Sequence, residues 1–173
     1  MCGIELTPEN AFDTLPRLAQ TRAAIDEVLR PYPAAVVIVR QAINDDVAVG
    51  VPVTAGSLVL IASWILPRHR RFWVAPQRFD SSRFLPGAPQ PARFAYMPFG
   101  AGPRVCVGAS FAMTQMLIVV ASLARRFRFR LASHHPVRPV GHISLHPHGG
   151  LQVTVERRAV VSAEQHQPAL RQY

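Results

Sequence analysis

Residues 99–108 of this chain read F-G-A-G-P-R-V-C-V-G, and the rest of the sequence is interpreted from this loop. Cys106 follows a turn rich in glycine and proline and precedes the apolar run of residues 109–124. Glycines in such a turn adopt positive φ or let another group approach the backbone closely. The stretch therefore predicts a tight loop that ends where a long helix begins.

Two side chains of this loop carry chemistry. Cys106 lies at the predicted helix N-terminus, where free N–H groups and the helix dipole favour a negatively charged sulfur. Arg104 is a permanently charged fork that suits a carboxylate. A thiolate presented in this way is a good axial ligand for haem iron. The alternative is a buried structural cysteine, and the motifs upstream of the loop argue against it.

Two short motifs upstream of the loop contain charged residues. Residues 15–29 have the apolar spacing of an amphipathic helix, and prolines follow it. Within that helix Glu27 and Arg30 are three residues apart and share a face. Further along the chain, residues 76–79 read P-Q-R-F. Each motif alone is a weak signal, but both stand in a fixed order before the cysteine loop.

In this order the motifs resemble those of the cytochrome P450 monooxygenases, over about residues 12–158. The resemblance implies an α+β arrangement that forms the C-terminal part of the mainly helical cytochrome P450 fold. Its parts are a helix carrying E-x-x-R, a small β-sheet, an irregular meander, the cysteine loop and the long helix after it. We treat residues 1–173 as a single partial domain, with residues 1–11 and 159–173 as loose ends.

Periodicity and turn residues predict the regular elements between and after the motifs. They are strands at 35–40 and 57–62, a short hairpin around Gly50, a helix at 109–126 and strands at 127–131 and 151–155.

The resemblance also implies a cofactor, haem b (iron protoporphyrin IX), and the residues that hold it. Cys106 is then the proximal ligand to the iron, and Arg104 pairs with a haem propionate. Phe99 packs near the ligating sulfur, Gly108 lets the following helix approach the porphyrin, and Gly102 belongs to the same loop.

Further residues are assigned by the same resemblance. Arg40 matches a basic residue that reaches a propionate from the strand after E-x-x-R. Glu27, Arg30 and Arg78 match a buried structural network rather than a catalytic set.

The activity implied for a complete enzyme is oxygen-dependent hydroxylation of a small organic substrate, by a haem–thiolate monooxygenase. A complete family member is more than twice as long as this chain. The long distal helix with its acid–alcohol pair is not recognisable in the sequence. We therefore expect the chain to need an N-terminal half, and the alternative is a truncated, inactive remnant that binds haem weakly or not at all.

The charge distribution predicts an acidic partner. The net charge is +9 and all 19 basic residues are arginine, of which eight lie between Asp80 and Glu156 with no acid among them. Such a surface steers acidic proteins, and we favour a redox partner, either a ferredoxin or a flavin reductase. Nucleic acid is the alternative, but it needs arginines and aromatics on one exposed face, and Phe127 and Phe129 are expected to point inward.

The cell compartment is inferred from what the sequence lacks. The first residues are neither basic nor apolar enough for a secretory signal, and no apolar run is long enough to span a bilayer. Two cysteines, Cys2 and Cys106, do not make a disulfide framework. We expect a cytoplasmic protein with no membrane span.

Overall fold

The computed structural model describes residues 7, 9–132, 136–141 and 144–159. Most residues expected to be loose lie outside these ranges, whereas residues 9–11 form a turn and the start of the first helix. The helices are Ala11–Thr14 (α1), Ala19–Leu29 (α2) and Ala109–Arg126 (α3). The strands are Ile38–Gln41 (β1), Asp46–Ala48 (β2), Val51–Val53 (β3), Leu58–Ile61 (β4), Phe127–Leu131 (β5), Pro139–Gly141 (β6), Leu145–Pro147 (β7) and Val153–Arg157 (β8). No helix within the described ranges is long and apolar enough to cross a membrane.

Helix α2 is shorter than the apolar spacing predicts, because it begins at Ala19 rather than at residue 15. Pro16 lies at the start of a separate 3₁₀ turn, Leu15–Arg17. Leu18 then leaves the helical region with ψ of 38°, and α2 starts after it. Helix α3 and strand β5 have the bounds that the sequence predicts.

The core joins the two long helices to the cysteine loop. Ile25 of α2 packs with Met113 and Leu117 of α3, and these three residues are buried. Phe99, the first residue of the loop, packs against this cluster. Burial of such side chains is the main favourable term in folding, so Phe99 attaches the start of the loop to the packed core.

The strands form four separate two-stranded antiparallel ribbons, β1–β4, β2–β3, β5–β8 and β6–β7. The predicted hairpin around Gly50 is confirmed as β2–β3. Its turn residues Val49 and Gly50 both have positive φ, 51° and 80°, as two-residue hairpins of the primed type require. The small sheet expected from residues 35–62 is two ribbons instead, because β2 and β3 pair with each other alone.

Ribbon β1–β4 lies beside the cysteine loop. A Cβ placed on Gly100 would be 4.0 Å from Cδ1 of Ile38, which belongs to β1. Ile38 pairs with Ile61 in the ribbon and both are half-buried, whereas the next pair, Val39 and Leu60, is exposed. One face of the ribbon therefore contacts the loop region, and its other face presents apolar side chains to solvent.

Ribbon β5–β8 exposes both aromatic and arginine side chains. Contrary to the expectation that it points inward, Phe129 is 47% exposed. Phe129 pairs with Val155, while Arg128 pairs with Glu156 on the next rung. Since neighbouring residues of a strand point to opposite faces, Arg128 and Arg130 lie on the face opposite Phe127 and Phe129, whereas Arg157 pairs with Phe127 and shares its face.

A hydrogen bond from Tyr96 links the meander that precedes the cysteine loop to helix α2. Its hydroxyl donates to the carboxylate of Asp26 (2.9 Å) and lies 3.2 Å from the Asp26 carbonyl. Burial, reinforced by the negative charge of Asp26, raises the pKa of Tyr96 above its usual value.

We expect Tyr96→Phe to lower the free energy of unfolding by about 1.5–3 kcal/mol, the contribution of a hydrogen bond to a charged group. Because the folded-state pKa is raised, this contribution is complete at pH values well below about 10, the pKa of an unfolded tyrosine, and is lost as the pH rises through and above that value. Urea unfolding at pH 8 and at pH 11 measures it. A variant whose stability matches the unaltered chain at pH 8 would contradict this.

Candidate functional site

The backbone of the 99–108 loop is held by its own hydrogen bonds. The N–H of Cys106 donates to the carbonyl of Phe99 (2.9 Å), which closes the loop on itself. Inside it, Val105 N–H donates to the Gly102 carbonyl (3.1 Å) across the 3₁₀ turn Gly102–Arg104. Gly100 and Gly102 have φ of 79° and 74°, a region that other residues adopt at a cost. The glycine spacing thus sets the path of the chain around Cys106.

Cys106 presents its sulfur at the surface beside the start of α3. It is an exposed free thiol, and its carbonyl accepts from Ala109 N–H (3.2 Å) at the first turn of the helix. The next residue, Val107, is 104% exposed. A Cβ at Gly108 would lie 3.9 Å from the Cys106 Sγ, an ordinary van der Waals contact, so Gly108 borders the sulfur.

The two arginines predicted to meet propionates are both exposed. Arg104 lies in the 3₁₀ turn two residues before Cys106. Arg40 lies on β1, two residues after Ile38 and therefore on the same face of the strand. Its Nη1 donates to the carbonyl of Val39 (2.8 Å).

The donor set of the loop fits haem better than it fits a bare metal ion. Within the described ranges no three His, Cys, Asp or Glu side chains converge to hold a metal, so Cys106 offers one thiol ligand. Exposed apolar side chains, Val105 and Val107, flank that thiol, and Arg104 adds a positive charge nearby. An apolar ring system that brings its own iron and carries carboxylates matches this combination.

A second polar cluster lies on α2, around the carboxylate of Glu27. Glu27 and Arg30 are 0% and 1% exposed. The Nε and Nη2 of Arg30 donate to Oε2 and Oε1 of Glu27 at 2.7 and 2.9 Å, a two-point pairing. The N–H of Asp80 also donates to Oε1 (2.9 Å), and Arg30 Nη1 donates to the carbonyl of Pro67 (2.7 Å). The cluster therefore joins α2 to two distant segments.

Arg83, rather than the predicted Arg78, brings its side chain to Glu27. Arg78 takes part through its carbonyl, which lies 3.4 Å from Nη2 of Arg30, while the residue is exposed. The second guanidinium near Glu27 belongs to Arg83, with its Nε 3.6 Å from Oε1 of Glu27 and its side chain 15% exposed. The 3₁₀ turn Ser81–Phe84, which follows the P-Q-R-F motif, brings Arg83 there.

Sequence reasoning missed Arg83 because it lies outside the motif. Asp80 could have indicated it, because its side chain caps the turn that carries Arg83 by accepting from Ser82 N–H. The N–H of Asp80 donates to Glu27, so this turn begins beside Glu27.

This arrangement predicts different effects for two arginine variants. Arg83→Ala should lower the free energy of unfolding by about 1–2 kcal/mol, because a partly buried ion-pair network loses a cation. Arg78→Ala leaves the carbonyl in place and should change stability by no more than about 0.5 kcal/mol, as exposed substitutions do. Urea unfolding of the two variants compares them, and the reverse order would show that the Arg78 side chain belongs to the network.

Comparison with known protein families finds a match over most of the chain. The family model described as Cytochrome P450 matches residues 5–154 of this chain. The chain belongs to the cytochrome P450 family. Putative cytochrome P450 132 of Mycobacterium tuberculosis is 36% identical over 146 residues, which are 84% of this chain and 32% of that protein. Cyclooctatin synthase of Streptomyces melanosporofaciens is 35% identical over 135 residues, 78% of this chain and 29% of that protein.

Solved cytochrome P450 structures contain the same fold. A mutant of the cytochrome P450DA heme domain matches with a TM-score of 0.81 and 24% identity, over 91% of this chain and 34% of that one. Retinoic acid bound cyanobacterial CYP120A1 matches with a TM-score of 0.79 and 29% identity, over 89% of this chain and 35% of that one. The chain spans about one third of the length of these relatives. It therefore has a partial cytochrome P450 fold, and its family implies haem as the cofactor.

Proposed function

We propose that Cys106 is the proximal thiolate ligand of a haem b and that the chain is the haem-binding, C-terminal portion of a monooxygenase. The observation that carries this proposal is the exposed Cys106 thiol in a closed, glycine-shaped loop at the start of α3. Thiolate-ligated haem activates molecular oxygen for insertion into a C–H bond of a small organic substrate.

The residues around the sulfur would bind and orient the cofactor. The Phe99 carbonyl holds the backbone of Cys106, and the Phe99 ring fixes the loop to the core. Gly108 borders Sγ and places no side chain beside it. The exposed guanidinium groups of Arg104 and Arg40 would pair with propionates, as fork-shaped donors pair with carboxylates.

An acidic redox partner is part of the proposal. Of the eight arginines between Asp80 and Glu156, seven are exposed: Arg93, Arg104, Arg125, Arg126, Arg128, Arg130 and Arg138. Electrons for oxygen activation must come from outside this chain, and a positively charged surface speeds encounter with an acidic ferredoxin or flavin reductase.

Turnover is proposed to need the remaining part of the family fold. Large apolar side chains are exposed on α3 and β4, among them Phe111 (74%), Leu58 (67%) and Leu60 (65%). Soluble proteins rarely expose contiguous apolar surface of this kind. We propose that the N-terminal portion of a cytochrome P450 fold covers this apolar surface and also completes the substrate pocket.

The test is reconstitution in two parallel samples. One contains the 173-residue chain with haem, a ferredoxin, its reductase and a panel of fatty-acid and terpene substrates. The other contains in addition the N-terminal portion of a homologous complete cytochrome P450. We expect hydroxylated product in the second sample and none in the first.

Two outcomes would contradict this proposal. Product in the first sample, lost in Cys106→Ala, would show that the chain needs no further segment. Product in neither sample, together with no haem bound, would favour the inactive remnant.

A further inference from the structure

A concave surface lies beside the segment that precedes the P-Q-R-F motif, apart from the cysteine loop. Its cavity of about 560 Å³ is lined by residues that include Arg68, Arg70, Trp73 and Arg78. This volume is within the range of small-molecule sites. None of these four residues belongs to the 99–108 loop, and the proposed haem chemistry gives the cavity no role.

The guanidinium of Arg68 is fixed in place at this cavity. It stacks over the rings of Trp64 (4.3 Å) and Tyr32 (5.3 Å), and its Nη1 donates to the Trp64 carbonyl (3.1 Å). Partial burial lowers the pKa of Arg68 from its usual value. An immobilised, partly desolvated cation costs free energy unless an anion compensates it.

No anion of the described part of the chain compensates these arginines. The ion pairs found there leave out Arg68, Arg70 and Arg78. The nearest acid in the sequence, Asp80, lies beyond ion-pair distance of Arg78. Its carboxylate accepts from Ser82, which lowers its pKa, and the charges of Arg83 and Arg78 lower that pKa further. Trp73, which also lines the cavity, is 6% exposed, and its buried Nε1–H has no acceptor within the described residues.

We propose that this cavity binds a small phosphate-bearing molecule, with phosphate oxygens accepting from Arg70 and Arg78 beside the fixed charge of Arg68. Phosphate is favoured because guanidinium forks donate two parallel hydrogen bonds to its oxygens. Its double charge also balances more than one arginine. The cavity is larger than one phosphate group, so the ligand carries an organic part as well.

Isothermal titration of the full chain with inorganic phosphate and with phenyl phosphate, at ionic strength held constant with chloride, tests the proposal. We expect saturable one-to-one binding, with phenyl phosphate the tighter ligand. Arg70→Gln and Arg78→Gln should each weaken it about tenfold, the loss of a hydrogen bond between charged groups. Arg68→Gln is avoided because the stacking of Arg68 on two rings is also structural.

The matched control is Arg128→Gln, which removes the same charge from the exposed strand β5. It should change the affinity less than about twofold, since screened surface charges at a distance contribute little. Equal weakening by Arg128→Gln and Arg70→Gln, or no saturation with either probe, would overturn the site. Tighter binding to phosphatidylcholine vesicles containing phosphatidic acid than to phenyl phosphate would reassign the surface to a lipid headgroup and overturn the small-molecule ligand.

Discussion

Cys106→Ala should abolish the red-shifted carbon-monoxide band of the reduced, haem-loaded protein. That band requires a thiolate opposite the bound carbon monoxide, and alanine offers no ligand to the iron. The absorbance difference spectrum measures it, for the chain with haem, alone or together with an N-terminal portion of a homologous cytochrome P450. The expected effect is complete loss, since Cys106 is the sole cysteine of the loop.

Two further variants separate loss of the thiolate from loss of haem. Cys106→His keeps a ligand for the iron and should retain haem with an unshifted band. Cys2→Ala removes the other cysteine of the chain and should leave the red-shifted band unchanged. Retention of the red-shifted band in Cys106→Ala would refute Cys106 as the iron ligand.

Glu27→Ala is expected to have the largest effect on stability. The substitution leaves Arg30, which is 1% exposed, without the carboxylate that accepts two of its N–H groups. Breaking a buried pair by removing one partner typically costs about 3–5 kcal/mol, because the remaining charge is uncompensated. That is a large share of the stability of an ordinary domain. The midpoint of urea unfolding reports the change.

The chain offers a matched control for this substitution. Glu156→Ala makes the same change in an exposed ion pair, where Glu156 and Arg130 are 49% and 60% exposed and 3.2 Å apart. Exposed pairs contribute about 1 kcal/mol or less, so the midpoint should shift little. Similar losses in Glu27→Ala and Glu156→Ala would mean that the Glu27 cluster is not a buried network.

The local features of this fold were predictable because they depend on neighbouring residues. The apolar run after Gly108 predicts α3 with the bounds that the structure shows. The glycine between two short β-rich segments predicts hairpin β2–β3. Phe99, Arg104 and Cys106 stand at fixed positions of one motif, so the sequence alone places them in one loop.

The partners of charged and apolar groups were less predictable. The motif led to Arg78 as the third member of the Glu27 cluster, whereas the structure brings the Arg83 guanidinium to 3.6 Å from Glu27. Both are arginines of one short segment, and no periodicity distinguishes them. The inward direction expected for Phe129 was wrong because a two-stranded ribbon has two faces, and alternation alone does not say which one is covered.

The sequence by itself determined the family, the cysteine loop, the pairing of Glu27 with Arg30 on one helical turn and the excess of arginine. These are properties of residue order and short spacing, which local geometry translates directly. The tertiary structure decided that β1 borders the loop through Ile38 and that Arg83 rather than Arg78 faces Glu27. It also decided that the Arg68 guanidinium stacks over the ring of Tyr32 beside a cavity. Those contacts join segments far apart in the chain, and their geometry follows from how the packed core orients each turn.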